Sequence, residues 1–184
     1  MEQPKIQYAD DDTEPVKFLF RLRTPSLLIG LVLSVVLSFV TSQFEHVLSA
    51  NIRVAFFIPL VVYLADAVGT QTQTIYARDL RTGKASFKKY LLKETALGIL
   101  FGLGSAALTA PVVFFWFQSA KLAFVVGSAL FAAVASAPLI ALIITELLQL
   151  EHKDPAVGSG PIATVIQDTV SILIYGAIAS AIIL

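Results

Sequence analysis

The chain has 184 residues, 57% hydrophobic and 14% charged, against roughly 45–50% and 25% in ordinary globular domains. Thirteen basic residues balance thirteen acidic ones, which gives no reason to expect a nucleic-acid partner, and the absence of cysteine excludes disulfides and thiolate chemistry. So little polar surface cannot keep a domain of this size dispersed in water, and the sequence reads as an all-α integral membrane protein.

Residues 1–24 form an acidic tail carrying Asp10, Asp11, Asp12 and Glu14, followed by a short interfacial segment at Val16 to Leu19. The tail has neither the basic start nor the cleavage site of a signal peptide. Residues 25–184 form a membrane domain with five expected spans at about 25–44, 54–69, 91–116, 122–150 and 161–184. Each is near or above the ~20 residues that cross ~30 Å of hydrocarbon. The second span gives way to a polar string, Thr70 to Thr74, and the loop after it, about 71–90, is the largest. Pro111 and Pro138 are expected to kink or break the third and fourth spans. With five spans, all of the thirteen basic residues except Arg53 and Lys121 fall on one side. That bias places the N-terminus in the cytoplasm and the C-terminus outside.

The last span raises the functional question. Thr164, Gln167, Asp168, Ser171 and Tyr175 recur at spacings that place them on one helical face, among Ile, Leu, Val and Ala. Inserting an ionised Asp at mid-helix costs ~2.5–3.5 kcal/mol, whereas an interhelical hydrogen bond returns only ~0.6 kcal/mol on average. Structural glue is therefore a weak reason for Asp168, and an ion or proton role is the stronger one. Asp66 in the second span falls ~12 Å above the inner boundary and Asp168 ~10 Å, so the two carboxylates are expected at a shared depth. Asp66 could also snorkel or pair with neighbouring hydroxyls.

Glu94, Glu146, Glu151 and Asp154 gather at the inner mouth, where Glu146 and Glu151 read as solvated interface. Asp154 precedes Pro155 and can cap a turn. Gly158, Gly160 and Pro161 are then expected to interrupt the helix and open a vestibule, since irregular backbone at membrane depth lines a cavity or is buried in protein. An all-oxygen donor set suits Mg²⁺, Mn²⁺ or Ca²⁺; the two histidines, His46 and His152, lie in expected loops, which disfavours zinc and copper. Small-residue stripes (Gly98, Gly102 and Ala106; Gly30, Ser34 and Ser38) allow close helix approach. A twofold dimer would bring two Asp168 carboxylates across one axis, where a cation is needed between them.

Two segments, "FIPLVVYLADAVGTQTQTIYARDLRTGK" and "DPAVGSGPIATVIQDTVSILIYGAIA", resemble the paired signatures of the MgtE magnesium transporter family, a Gly-Gly-Asn-x-Gly-x-Gln-like run and Asp-Pro-Ala, Ser-Gly-Pro and Thr-x-x-x-Asp-like elements. The resemblance covers about residues 25–184. It implies a homodimeric Mg²⁺ pore on the twofold axis with Asp168 at the ion site, Asp154 and Glu94 at the inner mouth, and Gly69 and Gln71 in the second-helix signature. Three departures stand out. Ala65-Asp66-Ala67 replaces Gly-Gly-Asn, removing an amide and adding a carboxylate. The helical and CBS domains of bacterial members are not in this sequence, so the Mg²⁺-sensing gate they supply is not expected to operate. One copy of the unit is present where the eukaryotic solute-carrier relatives fuse two, which again implies a dimer.

The expected function is divalent cation transport, Mg²⁺ first, through a homodimer pore lined by Thr164, Gln167, Asp168 and Ser171. A Na⁺- or H⁺-coupled exchanger is the near alternative, with Asp66 as the coupling feature, and a scaffold without transport is the distant one. A paired-aspartate protease is disfavoured because neither Asp66 nor Asp168 follows the Gly-x-Gly-Asp element of such enzymes.

Overall fold

A computed structural model describes residues 12–150 and 155–184. Among these residues the secondary structure is wholly helical. The elements are α1 (Val16–Ser42), a short α2 (Glu45–Ala50), a 3₁₀ turn (Ile52–Phe57), α3 (Ile58–Arg81), α4 (Phe87–Phe117), α5 (Ala120–Leu150) and α6 (Pro155–Ile183). Five helical segments are long and apolar enough to cross a membrane, the 3₁₀ turn continuing into α3 as one of them. The protein is a multi-pass membrane protein. With no water in the hydrocarbon, each backbone amide must be satisfied inside its own segment, which is why every span is a helix.

Several boundaries differ from the sequence expectation. The interfacial segment at Val16 is continuous with α1, and Pro25 lies inside that helix. The polar string 70–74 does not end the second span, because α3 runs unbroken to Arg81. The loop expected over 71–90 shrinks to 82–86, where Gly83 takes a left-handed φ of 68°. Pro111 and Pro138 both sit within uninterrupted helices.

The expected break at Gly158, Gly160 and Pro161 is absent, since α6 is helical from Pro155 onward. A proline inside a helix lacks the N–H that would bond the carbonyl four residues back, here that of Val157. Ser26 Oγ of α1 lies 3.1 Å from this carbonyl, sharing its one proton between it and the Arg23 carbonyl of its own helix at 2.9 Å. Four residues further along α1, Gly30 faces the proline ring, with Pro161 Cβ 3.6 Å from where its own Cβ would lie. One turn of α1 thus meets both the freed carbonyl and the proline ring.

The hub is α5, which packs against α3, α4 and α6. Half of its most apolar stretch is buried, against 11% for α1, which leans chiefly on α6 and turns Leu27, Leu31, Val35 and Phe39 outward. Between helices in lipid, close packing replaces the hydrophobic effect as the source of association. The α4–α5 seam uses it fully. A Cβ on Gly98 would lie 2.9 Å from Ala135 O, and one on Gly102 would lie 2.7 Å from Phe131 O. The hairpin between these helices is correspondingly tight. Gln118 closes α4 in the left-handed region at φ 50°, and Ser119 Oγ accepts from Leu122 N at the start of α5.

The two ends of the bundle differ in chemistry. At one end aromatic side chains cluster, with Phe57, Trp116 and Phe117 in mutual ring contact and Arg53 over the Phe117 ring. There Lys121 Nζ donates to the Ile183 carbonyl at the end of α6. The other end carries the starts of α1, α4 and α6 and most of the basic residues.

Candidate cation site

The polar stripe of α6 divides into two functional halves. Tyr175, at the aromatic end, is 2% exposed and donates its hydroxyl to Val54 O at 2.6 Å. It is a lock between α6 and the 3₁₀ turn. Nearer the basic end Gln167 is 3% exposed and Ser171 fully buried, and Gln167 Nε2 donates to Ser171 Oγ at 3.1 Å. This leaves Gln167 Oε1 buried with no protein donor.

Asp168 is half-buried, and its Oδ1 is likewise buried with no donor. Asp66 on α3 lies within electrostatic range of it. The structure therefore brings the two intramembrane carboxylates into one neighbourhood on antiparallel helices. Each unsatisfied acceptor in a low-dielectric interior is costly. Here two occur on adjacent residues, Gln167 and Asp168, and no Lys or Arg is paired with them among the described residues.

Beside Asp168, a small cavity opens between α3, α5 and α6. Asp66, Gly69, Thr70 and Gln73 line it from α3, Ala137, Ile140 and Ala141 from α5, and Ala163, Thr164 and Gln167 from α6. A water centre has about 10 Å³ of freedom there, roughly the room of one water molecule. Thr70 and Gln73 were not among the expected site residues. Their signal was available, since 66, 69, 70 and 73 follow helical spacing, but it required reading the polar string as helix rather than loop.

The other expected residues fall elsewhere. Gln71 is exposed, two positions from Gly69 and so on a different face of α3. Glu94 accepts from Thr72 Oγ1 at 2.7 Å, tying α4 to a face of α3 away from the cavity. Asp154 and Glu151 lie outside the described residues. Glu146, expected to be plain solvated interface, accepts from the buried Tyr76 hydroxyl at 2.6 Å. The Tyr76 ring packs 4.7 Å from that of Tyr90, whose hydroxyl bonds Asp79 Oδ2 at 2.6 Å. Arg78 Nε completes the group at 2.9 Å from Asp79 Oδ1. Three acids at the basic end thus serve as acceptors that join helices.

Among the described residues no three His, Asp or Glu side chains come close enough to hold a metal ion by themselves. Any cation at Asp168 would need retained water, amide and hydroxyl oxygens, or ligands from a second copy of the chain.

A family model described as MgtE, divalent cation transporter, matches residues 58–178, a stretch that includes both Asp66 and Asp168. The chain belongs to the MgtE family. The magnesium transporter MgtE of Bacillus subtilis is 32% identical over 94% of this chain and 39% of its own length. That of Enterococcus faecalis is 32% identical over 86% and 36%, and that of Thermus thermophilus is 30% identical over 97% and 40%. The chain spans about two fifths of the length of these relatives.

Proposed function

We propose that this MgtE-family chain moves a divalent cation, Mg²⁺ in the first place, across the membrane as a homodimer, with Asp168 as the residue that meets the ion. The observation that carries the reading is the Asp168 carboxylate, with a buried oxygen that no protein donor satisfies and a second carboxylate, Asp66, within electrostatic range. Its place in the matched family region supports the same reading. Mg²⁺ keeps several waters and takes only one or two direct carboxylates, so a sparse set of oxygens is adequate for it.

Two copies related by a twofold axis would present a pair of Asp168 carboxylates to one ion. The basic-residue bias supports an N-terminus inside and a C-terminus outside. The activity is carriage rather than catalysis, with the cation as cargo. Mn²⁺ and Ca²⁺ share the oxygen chemistry and are competitors for the path.

The test is Mg²⁺ flux into proteoliposomes, comparing wild type and Asp168→Asn at equal reconstitution. Transport by the wild type and none by the variant is expected. Equal flux from both would remove Asp168 from the path, and no flux from either would favour a scaffold.

A further inference from the structure

The cavity between α3, α5 and α6 lies within one protomer, and Asp168 is not among its lining residues. Its donors are one carboxylate, Asp66; two amides, Gln73 and Gln167; and two hydroxyls, Thr70 and Thr164. Gln167 is 97% buried, being 3% exposed, and its Oε1 has no protein donor. Among the described residues no Lys or Arg lines the cavity. On α5 the facing residues, Ala137, Ile140 and Ala141, offer neither charge nor a side-chain donor.

We propose that this cavity is a monovalent-cation site, fitted to Na⁺ with its water largely stripped, and separate from the divalent path at Asp168. The carboxylate and the orphaned Gln167 oxygen supply its ligands, with the hydroxyls of Thr70 and Thr164 completing the shell.

Charge and size select the ion. One carboxylate among neutral oxygens balances one positive charge. A divalent ion would need the charge of the neighbouring Asp168 as well, which lies outside the cavity lining and is left to the divalent path. The space holds one water-sized body. Mg²⁺ dehydrates reluctantly and would have to bring waters that do not fit, while Ca²⁺ would need every one of the six side-chain oxygens here, two from Asp66 and one each from Thr70, Gln73, Thr164 and Gln167, merely to reach the lower end of its six-to-eight range. Asp66 stands where the family signature the chain resembles has Gly-Gly-Asn, and Gln167 falls at an open position of its Thr-x-x-x-Asp element.

The experiment is thermal unfolding of the full chain in detergent with divalent cations chelated, titrating NaCl against N-methylglucamine chloride at constant ionic strength. A saturable rise of a few degrees with Na⁺ is expected for wild type and for Asp168→Asn, and no rise for Asp66→Asn or Gln167→Met. Equal midpoints in the two salts would overturn the site, as expected if Asp66 is simply protonated. A Na⁺ response that survives both cavity substitutions, or is lost in Asp168→Asn, would place the ion elsewhere and overturn it too. Should Asp66→Asn fail to fold, Gln167→Met, which carries no charge change, decides alone. Failure of Mg²⁺ flux with the Na⁺ response intact would count against the transport reading and leave this site standing.

Discussion

The α4–α5 seam and the α3–α6 seam are both built in the same apolar medium, yet they are opposites. The first is closed by glycines that let backbone touch backbone, with Gly98 and Gly102 seated against the carbonyls of Ala135 and Phe131. The second keeps Asp66, Gln167 and Asp168 in an interior that leaves acceptors unpaired. A bundle that can pack as tightly as the first seam has no packing reason to tolerate the second. The contrast separates residues that hold the protein together from residues whose acceptors the described protein leaves unsatisfied.

Gly102→Leu should break the contrast from the closed side and have the largest effect. Even a Cβ there meets a backbone oxygen, and overpacking of this kind costs about 3 kcal/mol. Loss of folded protein on size-exclusion chromatography is the expected readout. Asp168→Asn, the flux test already given, should do the reverse, leaving the chromatographic profile intact while Mg²⁺ transport falls. Tyr175→Phe separates the two halves of the α6 stripe. It should lower stability by about 1 kcal/mol, measured by unfolding in mixed micelles, and leave transport unchanged. Ser26→Ala should have the smallest effect, about 0.6 kcal/mol, by depriving Val157 O of the donor that replaces Pro161.

What the sequence disclosed followed from local regularity. Five apolar runs predicted five spans, and the 3-and-4 spacing from Thr164 to Ser171 predicted the buried polar face of α6. The approach of Asp66 to Asp168 followed from counting rise along antiparallel helices. What it concealed depended on partners distant in the chain. Tyr76 and Glu146 are seventy residues apart, so Glu146 alone gave no sign that it joins α3 to α5. The side chain that meets the carbonyl freed by Pro161 is Ser26, more than a hundred residues earlier. Thr70 and Gln73 were hidden differently. Their polarity suggested a loop, because a run of Thr and Gln shows no hydrophobic period even when one side of it faces a cavity.

The grip of α1 on Pro161 has a mechanical meaning. A proline that frees a carbonyl is a natural joint, the point at which a helix bends most cheaply. With Ser26 within hydrogen-bond reach of that carbonyl and Gly30 beside the ring, that joint is braced by a helix whose opposite side is turned outward. Bending α6 below Thr164 therefore requires the outermost helix of the bundle to let go first, which makes α1, the segment with least buried surface, the brace that sets the stiffness of the strut carrying Asp168.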